Sequence, residues 1–359
     1  MKKIKELYNR RKFLLKEKIK EHPLEIVIWE ATTKCNLHCI HCGSPPLNIT
    51  ELTADEVIGA FKNIREQFGT DKIKYIAITG GEPTVREDLL YIIQEIKSLG
   101  FMHIAMQTNG HRIGEENGYI DKLVEAGIGG IGLNIDGTEE THNWLRNNSD
   151  SFKLSVKTFN LIKKTHVNNL ISTIIMKRTL EKLEETKNFS AKLSPDRWRL
   201  IPLEPIGRAG KNLKDQILNY EDTEKLLNFV IQNRMDGFPV ELGCGQWYGK
   251  EYEGLVRPYI WHCIAGISVM SILADGSLAA CNNISRHYIQ GNIKTDNIKD
   301  VWEKRYKPFR VYDWKKTEVC ANCSDWDLCH GGDMHLRDEN GNMLKACFFH
   351  EKQIKCGSK

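Results

Sequence analysis

Short apolar segments alternate with longer amphipathic ones through the first two thirds of the chain. The apolar segments are rich in β-branched and aromatic residues, as buried strands are, and they lie at residues 24–29, 75–79, 102–107, 128–135, 170–176 and 198–203. Segments with helical spacing of apolar positions fill the intervals, at residues 53–68, 86–99, 115–126, 151–164 and 180–193. This alternation predicts a parallel sheet with helices on its outer face.

The number of units limits the architecture. Six β/α units are recognisable, the last ending near residue 203, whereas a closed barrel of this type has eight strands. We therefore predict the α/β class, with an open, partial (β/α)6 TIM-like barrel. Ligands of parallel sheets bind at the carboxyl ends of the strands, so the residues that directly follow each predicted strand are candidates for a functional site.

The pattern changes after a predicted helix at residues 220–234. Gly, Asn, Asp and Cys become frequent, and a hairpin is predicted from residues 269–273 and 277–281 around an Ala-Asp-Gly turn. We therefore divide the chain into a basic N-terminal helix (1–23), the partial barrel (24–236) and a cysteine-rich C-terminal domain (237–359).

Composition excludes several classes of protein. No stretch of the 359 residues approaches the roughly 20 apolar residues of a membrane-spanning helix, and the N-terminus lacks the apolar core of a signal peptide; we expect a cytoplasmic protein with no membrane partner. The net charge of +4 is too small to predict binding to nucleic acid. Residues 1–20 carry nine Lys and Arg against two Glu, which indicates a solvated amphipathic helix or a docking surface for an acidic partner.

The chain has eleven cysteines, which in a reducing compartment more often bind metal or do redox chemistry than form disulfides. Cys35, Cys39 and Cys42 follow the first predicted strand. Three thiolates leave a fourth coordination position open, which distinguishes a catalytic metal site from a closed structural one. The spacing alone is compatible with iron–sulfur and with zinc.

The loops that follow the next three strands carry further motifs. They are Gly80-Gly81-Glu82-Pro83, Thr108-Asn109-Gly110 and Asn134-Ile135-Asp136-Gly137. Together with Cys-x3-Cys-x2-Cys they resemble the radical S-adenosylmethionine (SAM) superfamily over about residues 24–210.

That resemblance implies roles for single residues. Gly80 and Gly81 would let the backbone approach the SAM amino group, and Glu82 would pair with its ammonium. Asn109 corresponds to a ribose contact, and Asn134, where the family usually has Ser, to a carboxylate contact. The other implied SAM-binding residues are His41 against the adenine, Asp136 in the loop after the fourth strand, and Arg146, near His142, as a bidentate partner for a carboxylate.

The C-terminal cysteines resemble a second family pattern. Cys263, Gly276 and Cys281, followed by the Cys320-x2-Cys323-x5-Cys329 run and Cys347, are similar to the SPASM domain of radical SAM enzymes. The resemblance implies one or two auxiliary [4Fe–4S] clusters: Cys320, Cys323, Cys329 and Cys347 would ligate one, Cys263 and Cys281 the other. Zinc knuckles are the alternative for this region, with His262, His330, His335 and His350 as additional ligands.

One family cysteine is missing. The chain has Asp333 where the family has the fourth cysteine of this run. Cys244 is the preferred substitute as an iron ligand, and ligation by Asp333 or an iron with an open position is the alternative. Cys244 has two further interpretations, a hydrogen-atom donor to a substrate radical and a buried inert thiol. Cys356 is left over and is interpreted as structural or incidental.

The family resemblance implies an enzyme that reductively cleaves SAM to a 5′-deoxyadenosyl radical and abstracts hydrogen from a substrate. We expect a ribosomally synthesised peptide as substrate, with crosslinking, thioether formation or epimerisation as the outcome. Small-molecule cofactor or tetrapyrrole biosynthesis is the alternative, and an iron–sulfur electron carrier is a third hypothesis that the SAM loops disfavour. The implied partners include a one-electron donor such as flavodoxin or ferredoxin. Because only 34 residues precede Cys35, we expect recognition of a leader peptide to use a separate leader-binding protein or the basic helix at residues 1–20.

Overall fold

The computed structural model describes residues 2–44 and 47–357, with side chains described between residues 6 and 355. In this part of the chain ten strands form one sheet. They are β1 (Ile26–Glu30), β2 (Tyr75–Thr79), β3 (Ile104–Thr108), β4 (Gly130–Asn134), β5 (Asn168–Ile175), β6 (Arg197–Pro202), β7 (Val240–Leu242), β8 (Val269–Ile272), β9 (Ser277–Ala279) and β10 (Gly291–Asn292). Their order is β10-β9-β8-β1-β2-β3-β4-β5-β6-β7.

The six predicted strands are all present and lie side by side in chain order, with every pair parallel. The predicted α/β class and the partial barrel are therefore confirmed. Alternate residues of β1 and β3 are fully buried, because one face of each strand packs against the outer helices. The carboxyl ends of these strands meet at one edge of the sheet, where the candidate loops begin.

Fifteen α-helices are assigned in the described residues. They are α1 (Lys2–Glu21), α2 (Ala54–Phe68), α3 (Leu89–Ser98), α4 (His111–Glu115), α5 (Tyr119–Ala126), α6 (Glu139–Arg146), α7 (Ser151–Ile162), α8 (Lys177–Glu181), α9 (Leu183–Leu193), α10 (Gly207–Asn212), α11 (Tyr220–Met235), α12 (Ile298–Arg305), α13 (Lys307–Arg310), α14 (Trp326–Cys329) and α15 (Phe348–Gly357). The helix α2 starts at a capping box, in which Thr53 and Glu56 satisfy each other's backbone N–H groups. None of these helices is long and apolar enough to cross a membrane.

The sheet continues beyond the six predicted strands at both edges. At one edge β7 pairs in parallel with β6. At the other, the predicted hairpin forms between β8 and β9, and β8 also pairs in parallel with β1. All four residues of β8 are buried, which requires cover on both faces and explains why the hairpin joins the barrel sheet. The division of the chain at residue 236 stays a prediction.

The inner face of the sheet borders a cavity of about 1600 Å³. The helix α1 lies over part of it, with Leu7, Arg10 and Leu14 in its wall. The Tyr8 hydroxyl donates a hydrogen bond to the Lys250 carbonyl (2.8 Å), and Arg11 donates to the Ile260 carbonyl (3.3 Å). The basic N-terminal helix is thus packed against the rest of the molecule.

Candidate active site and cysteine groups

The loop with the first three cysteines has no regular secondary structure, yet its backbone is held from two sides. At the end of α6, the Leu145 carbonyl accepts a hydrogen bond from the Ile40 N–H (3.0 Å). At the start of α10, Arg208 donates through Nε to the Cys39 carbonyl (2.8 Å) and through its backbone N–H to the Cys42 carbonyl (2.9 Å). Segments that follow β4 and β6 therefore fix the loop that follows β1.

The three thiols differ in their surroundings. Cys39 is buried, Cys42 is half-buried and Cys35 is exposed. Burial raises the pKa of Cys39, and the guanidinium of Arg146, with Nη1 3.9 Å from its sulfur, acts in the opposite direction. A nearby cation stabilises a thiolate, which is the form of cysteine that binds metal. Three soft sulfur donors on one irregular loop fit an iron–sulfur cluster.

The glycine-rich loop after β2 packs directly against this cysteine loop. Gly81 N–H donates to the Thr32 carbonyl (2.8 Å), and Glu82 N–H donates to the Lys34 carbonyl (2.9 Å). A Cβ on Gly80 would overlap the Thr32 carbonyl oxygen, and one on Gly81 would overlap that of Lys34. The sequence predicts that these glycines admit a ligand; the structure shows that they also admit the backbone that leads into Cys35.

Gly81→Ala is expected to displace residues 32–35 and to weaken SAM binding at least tenfold, because the added methyl group has no space beside the rigid Lys34 carbonyl. Gly59→Ala is the matched control. No atom lies within 4 Å of a Cβ at Gly59, in the middle of α2, so this substitution should stabilise the protein by about 0.5–1 kcal/mol. Calorimetric titration with SAM and thermal unfolding measure both effects; equal SAM affinity in the two variants would contradict the assignment.

Glu82 joins the loops after β2 and β3. It is 1% exposed, and its carboxylate accepts hydrogen bonds from the Thr84 N–H (3.1 Å), the Thr84 and Thr108 hydroxyls (2.7 and 2.6 Å) and the Asn109 N–H (2.7 Å). Burial raises the pKa of Glu82, although these donors oppose the shift. In the structure this carboxylate holds the two loops together, and its pairing with the SAM ammonium stays a prediction.

Asn109 continues this network to the cysteine loop. Its side-chain amide donates to the Asn36 side-chain oxygen (2.7 Å), between Cys35 and Cys39, and its own oxygen accepts from the His111 N–H (3.0 Å). The residue predicted to contact ribose thus connects the loop after β3 with the loop after β1.

Asp136 and Arg146 bind each other. Arg146 donates through Nε (2.8 Å) and Nη2 (2.5 Å) to one oxygen of Asp136, and the other oxygen accepts from the Ile174 N–H (2.9 Å). Burial alone would raise the pKa of Asp136, but Arg146 and His142 lower it below its ordinary value. The carboxylate partner predicted for Arg146 is found inside the chain, and the ion pair lies beside the Cys39 sulfur.

His142 is a neutral part of the same network. Its Nδ1 accepts a hydrogen bond from the Asp136 N–H (3.0 Å), so the proton lies on Nε2, 3.0 Å from the Ser151 hydroxyl. Burial lowers the pKa of His142 to about 3, and Arg146 contributes to the shift. This histidine positions the loop after β4.

Several of the predicted site residues share the large cavity. Its wall includes His41, Gly81, Asn134, Cys244, Cys263 and Cys281. Asn134 accepts a hydrogen bond from Gln107 (3.1 Å). The Nδ1 atom of His41 is buried without a hydrogen-bond partner among the described residues, and burial lowers its pKa to about 4. A neutral ring at the cavity wall is compatible with the adenine contact that the sequence predicts.

Cys244, Cys263 and Cys281 come together around Asp333. Asp333 acts electrostatically on all three thiols, and Cys244 is exposed at the wall of the large cavity. Asp333 accepts hydrogen bonds from the Gly245 N–H (3.0 Å) and from the Trp261 ring N–H (2.8 Å). Asp333 therefore holds the Cys244 loop, whether or not it also ligates iron, and the role of Cys244 stays a prediction.

Four further cysteines line a second, smaller pocket. They are Cys320, Cys323, Cys329 and Cys347. Arg337, which sequence reasoning missed, is 3% exposed and places Nη2 3.8 Å from the Cys320 sulfur. The group predicted to ligate one complete cluster is thus gathered at one place. Cys356 has a side chain outside the described residues.

Sequence reasoning also missed Glu204, which follows β6 directly. Its side chain is 10% exposed and lines the large cavity. Neither carboxylate oxygen accepts a hydrogen bond from a described residue, and Lys345 Nζ lies 3.5 Å from Oε2. Burial raises the pKa of Glu204. Its position at the carboxyl end of a predicted strand was the available signal.

Comparison with protein families agrees with this geometry. A model of the radical SAM superfamily matches residues 29–190, which contain the four strand-end loops. A model of the iron–sulfur cluster-binding SPASM domain matches residues 263–324. The chain is a radical SAM enzyme with a C-terminal SPASM domain. These two domains bind SAM on a [4Fe–4S] cluster and hold auxiliary clusters, and the thiol groups described above suit that cofactor set.

Relatives of this radical SAM enzyme have different named activities. The AdoMet-dependent heme synthase of Methanosarcina barkeri is 24% identical over 88% of this chain and 95% of its own. The mycofactocin maturase MftC of Mycolicibacterium smegmatis is 26% identical over 85% of this chain and 77% of its own.

Solved structures share the fold. A structure of anSMEcpe with bound AdoMet and a peptide has a TM-score of 0.70 at 19% identity, covering 93% of this chain and 95% of that one. Streptococcus suis SuiB bound to S-adenosylmethionine has a TM-score of 0.67 at 17% identity, covering 89% and 76%. At these identities the likeness concerns the fold alone.

Proposed function

We propose that this radical SAM/SPASM enzyme modifies a ribosomally synthesised peptide, by crosslinking, thioether formation or epimerisation. The observation that carries the proposal is the carboxylate of Glu204 in the wall of the large cavity, which forms one ion pair, with Lys345 (3.5 Å), and accepts no hydrogen bond from a described residue. A buried acceptor without a hydrogen bond costs about 1–3 kcal/mol, and a ligand with N–H donors would remove that cost. A peptide carries such donors along its whole length.

The named activities of relatives and neighbours support the same substrate class. The cations of the cavity wall are of both kinds: Lys18, Arg199 and Arg286 have acidic partners, whereas Arg10 and Arg11 of α1 form no salt bridge with a described residue. The mycofactocin maturase among the relatives, and a SuiB structure with its precursor peptide SuiA among the structural neighbours, agree with a peptide.

The proposed site residues have two kinds of role: some bind the cluster and SAM, and one orients the substrate. Cys35, Cys39 and Cys42 would hold the cluster, which with SAM and one electron would supply the radical that removes hydrogen from the substrate. Gly81, His41 and Asn134 would place SAM at the top of the cavity, and Glu204 would orient the substrate below it. A one-electron donor such as flavodoxin or ferredoxin, and a separate leader-binding protein, belong to the same proposal.

The test offers the anaerobically reconstituted enzyme two substrates with SAM and dithionite. One is a synthetic short peptide chosen from the open reading frames that neighbour its gene, and the other is iron coproporphyrin, the class of molecule named for another relative. We expect a mass change in the peptide together with 5′-deoxyadenosine above the substrate-free level. Glu204→Gln should lower peptide turnover while SAM cleavage without peptide is unchanged. Conversion of the porphyrin, with the peptide unaltered, would overturn the proposal.

A further inference from the structure

Lys315 is a buried cation without an acidic partner at short distance. It is 3% exposed, although lysine is rarely buried unless it is paired. Its ammonium donates a hydrogen bond to the Gly332 carbonyl (3.3 Å) and lies 4.7 Å from the centre of the Tyr312 ring. No carboxylate of the described residues forms a salt bridge with it. Burying an unpaired ammonium destabilises the folded protein, and one hydrogen bond to a carbonyl offsets only part of that cost.

The turn that contacts Lys315 connects the two auxiliary cysteine groups. It runs from Cys329, in the four-cysteine pocket, to Asp333, beside the other three cysteines. Gly331 and Gly332 both have positive φ, and a Cβ on Gly331 would lie 3.1 Å from the Cβ of Lys315. The turn is therefore folded closely around the lysine stem.

Lys315 therefore lies between the two groups. The Gly332 carbonyl, which accepts the hydrogen bond from its ammonium, stands between Cys329 and Asp333. Asp333 in turn accepts a hydrogen bond from the Gly245 N–H, next to Cys244 (3.0 Å). Burial lowers the pKa of Lys315 only to about 8, so the amine still carries its charge at pH 7.

Two other cations lie in hydrogen-bond range of cysteine sulfurs. Arg146, next to Cys39, is paired with Asp136. Arg337, next to Cys320, donates three hydrogen bonds to the carbonyls of Gly331 and Gly341. Lys315 differs from Arg146 because it has no salt bridge with a described residue, and from Arg337 because it donates only one hydrogen bond to a carbonyl.

We propose that Lys315 is a tuning residue shared by the two auxiliary clusters, whose ammonium raises the reduction potentials of both. A one-electron reduction adds one negative charge to a cluster and moves no proton or bond. A buried positive charge nearby stabilises that added charge strongly, because the protein interior screens it weakly. Since one ammonium serves both clusters, their potentials shift in the same direction, which keeps electron exchange between them nearly balanced. This proposal is independent of the substrate class.

Anaerobic redox titration followed by EPR tests it on the full-length reconstituted enzyme at pH 7. Lys315→Met removes the charge at similar length, and Lys315→Arg keeps it. In Lys315→Met we expect the equilibrium constant for reducing each auxiliary cluster to fall about tenfold, a shift of about 59 mV for a one-electron couple. The SAM-binding cluster, recognised by the change of its EPR signal on adding SAM, should keep its potential. Lys315→Arg should resemble the wild type.

Iron content separates tuning from structure. If Lys315→Met does not bind the full iron content, the same titration is made on Lys315→Gln, which keeps a hydrogen-bond donor for Gly332. Unchanged potentials in an iron-replete neutral variant would overturn the proposal, and so would a shift confined to one auxiliary cluster. Loss of iron from both neutral variants would also overturn it, because the residue would then be needed for assembly.

Discussion

Replacing Cys35, Cys39 and Cys42 together with alanine is expected to abolish SAM cleavage and to remove about four irons per chain, the content of one cubane cluster. The three residues supply all the thiols of the loop after β1, and no other cysteine of the described residues lies in the first domain. Iron analysis of the reconstituted protein and chromatographic assay of 5′-deoxyadenosine with dithionite give the two measurements.

A second triple variant serves as the control. Alanine at Cys320, Cys323 and Cys329 empties the smaller pocket and should also remove about four irons, but SAM cleavage without substrate should persist. The two variants thus lose the same amount of iron with opposite effects on chemistry. SAM cleavage that survives in the Cys35, Cys39 and Cys42 variant would disprove the assignment of the catalytic cluster.

The barrel strands were predictable because each combines β-branched residues with burial. β2 and the predicted segment coincide at Tyr75–Thr79. In contrast, β7 has only three residues, which is too short for an alternation of apolar and polar positions to be recognised in the sequence. The pairing of β8 with β1 joins residues about 240 positions apart, and the local pattern shows a hairpin without showing what covers its outer strand.

The predicted site depended on motifs, which identify residues but not their partners. The sequence predicts that Arg146 binds a ligand carboxylate, yet in the structure its guanidinium already binds the carboxylate of Asp136. It likewise assigns Gly81 to a ligand, whereas its neighbour is the Lys34 backbone. Lys315 and Glu204 belong to no motif, and only their burial beside other elements indicates a role.

Asp136→Asn is expected to destabilise the folded enzyme by about 3–5 kcal/mol, because it leaves the Arg146 guanidinium buried without its counter-ion. Both side chains are nearly inaccessible, at 0% and 7% exposure. Since the pKa of Asp136 is lowered on folding, the carboxylate is ionised and its contribution is fully present at pH 7; it is lost only as the pH falls through that lowered value. Urea unfolding of the reconstituted protein, followed by circular dichroism, measures the change.

Two matched variants locate the effect in the buried pair. Glu140 lies on the same helix as Arg146, α6, and forms exposed ion pairs with Arg178 of α8 and with Lys182. Glu140→Gln removes both pairs and should change stability by less than about 1 kcal/mol. The double variant Asp136→Leu with Arg146→Met removes both charges and should recover much of the lost stability, since replacing a whole buried pair is often nearly neutral. The double variant should still bind SAM poorly, because the loop after β4 no longer reaches the cluster loop through Arg146 and Cys39. If Asp136→Asn were no more destabilising than Glu140→Gln, the pair would not be what fixes this loop.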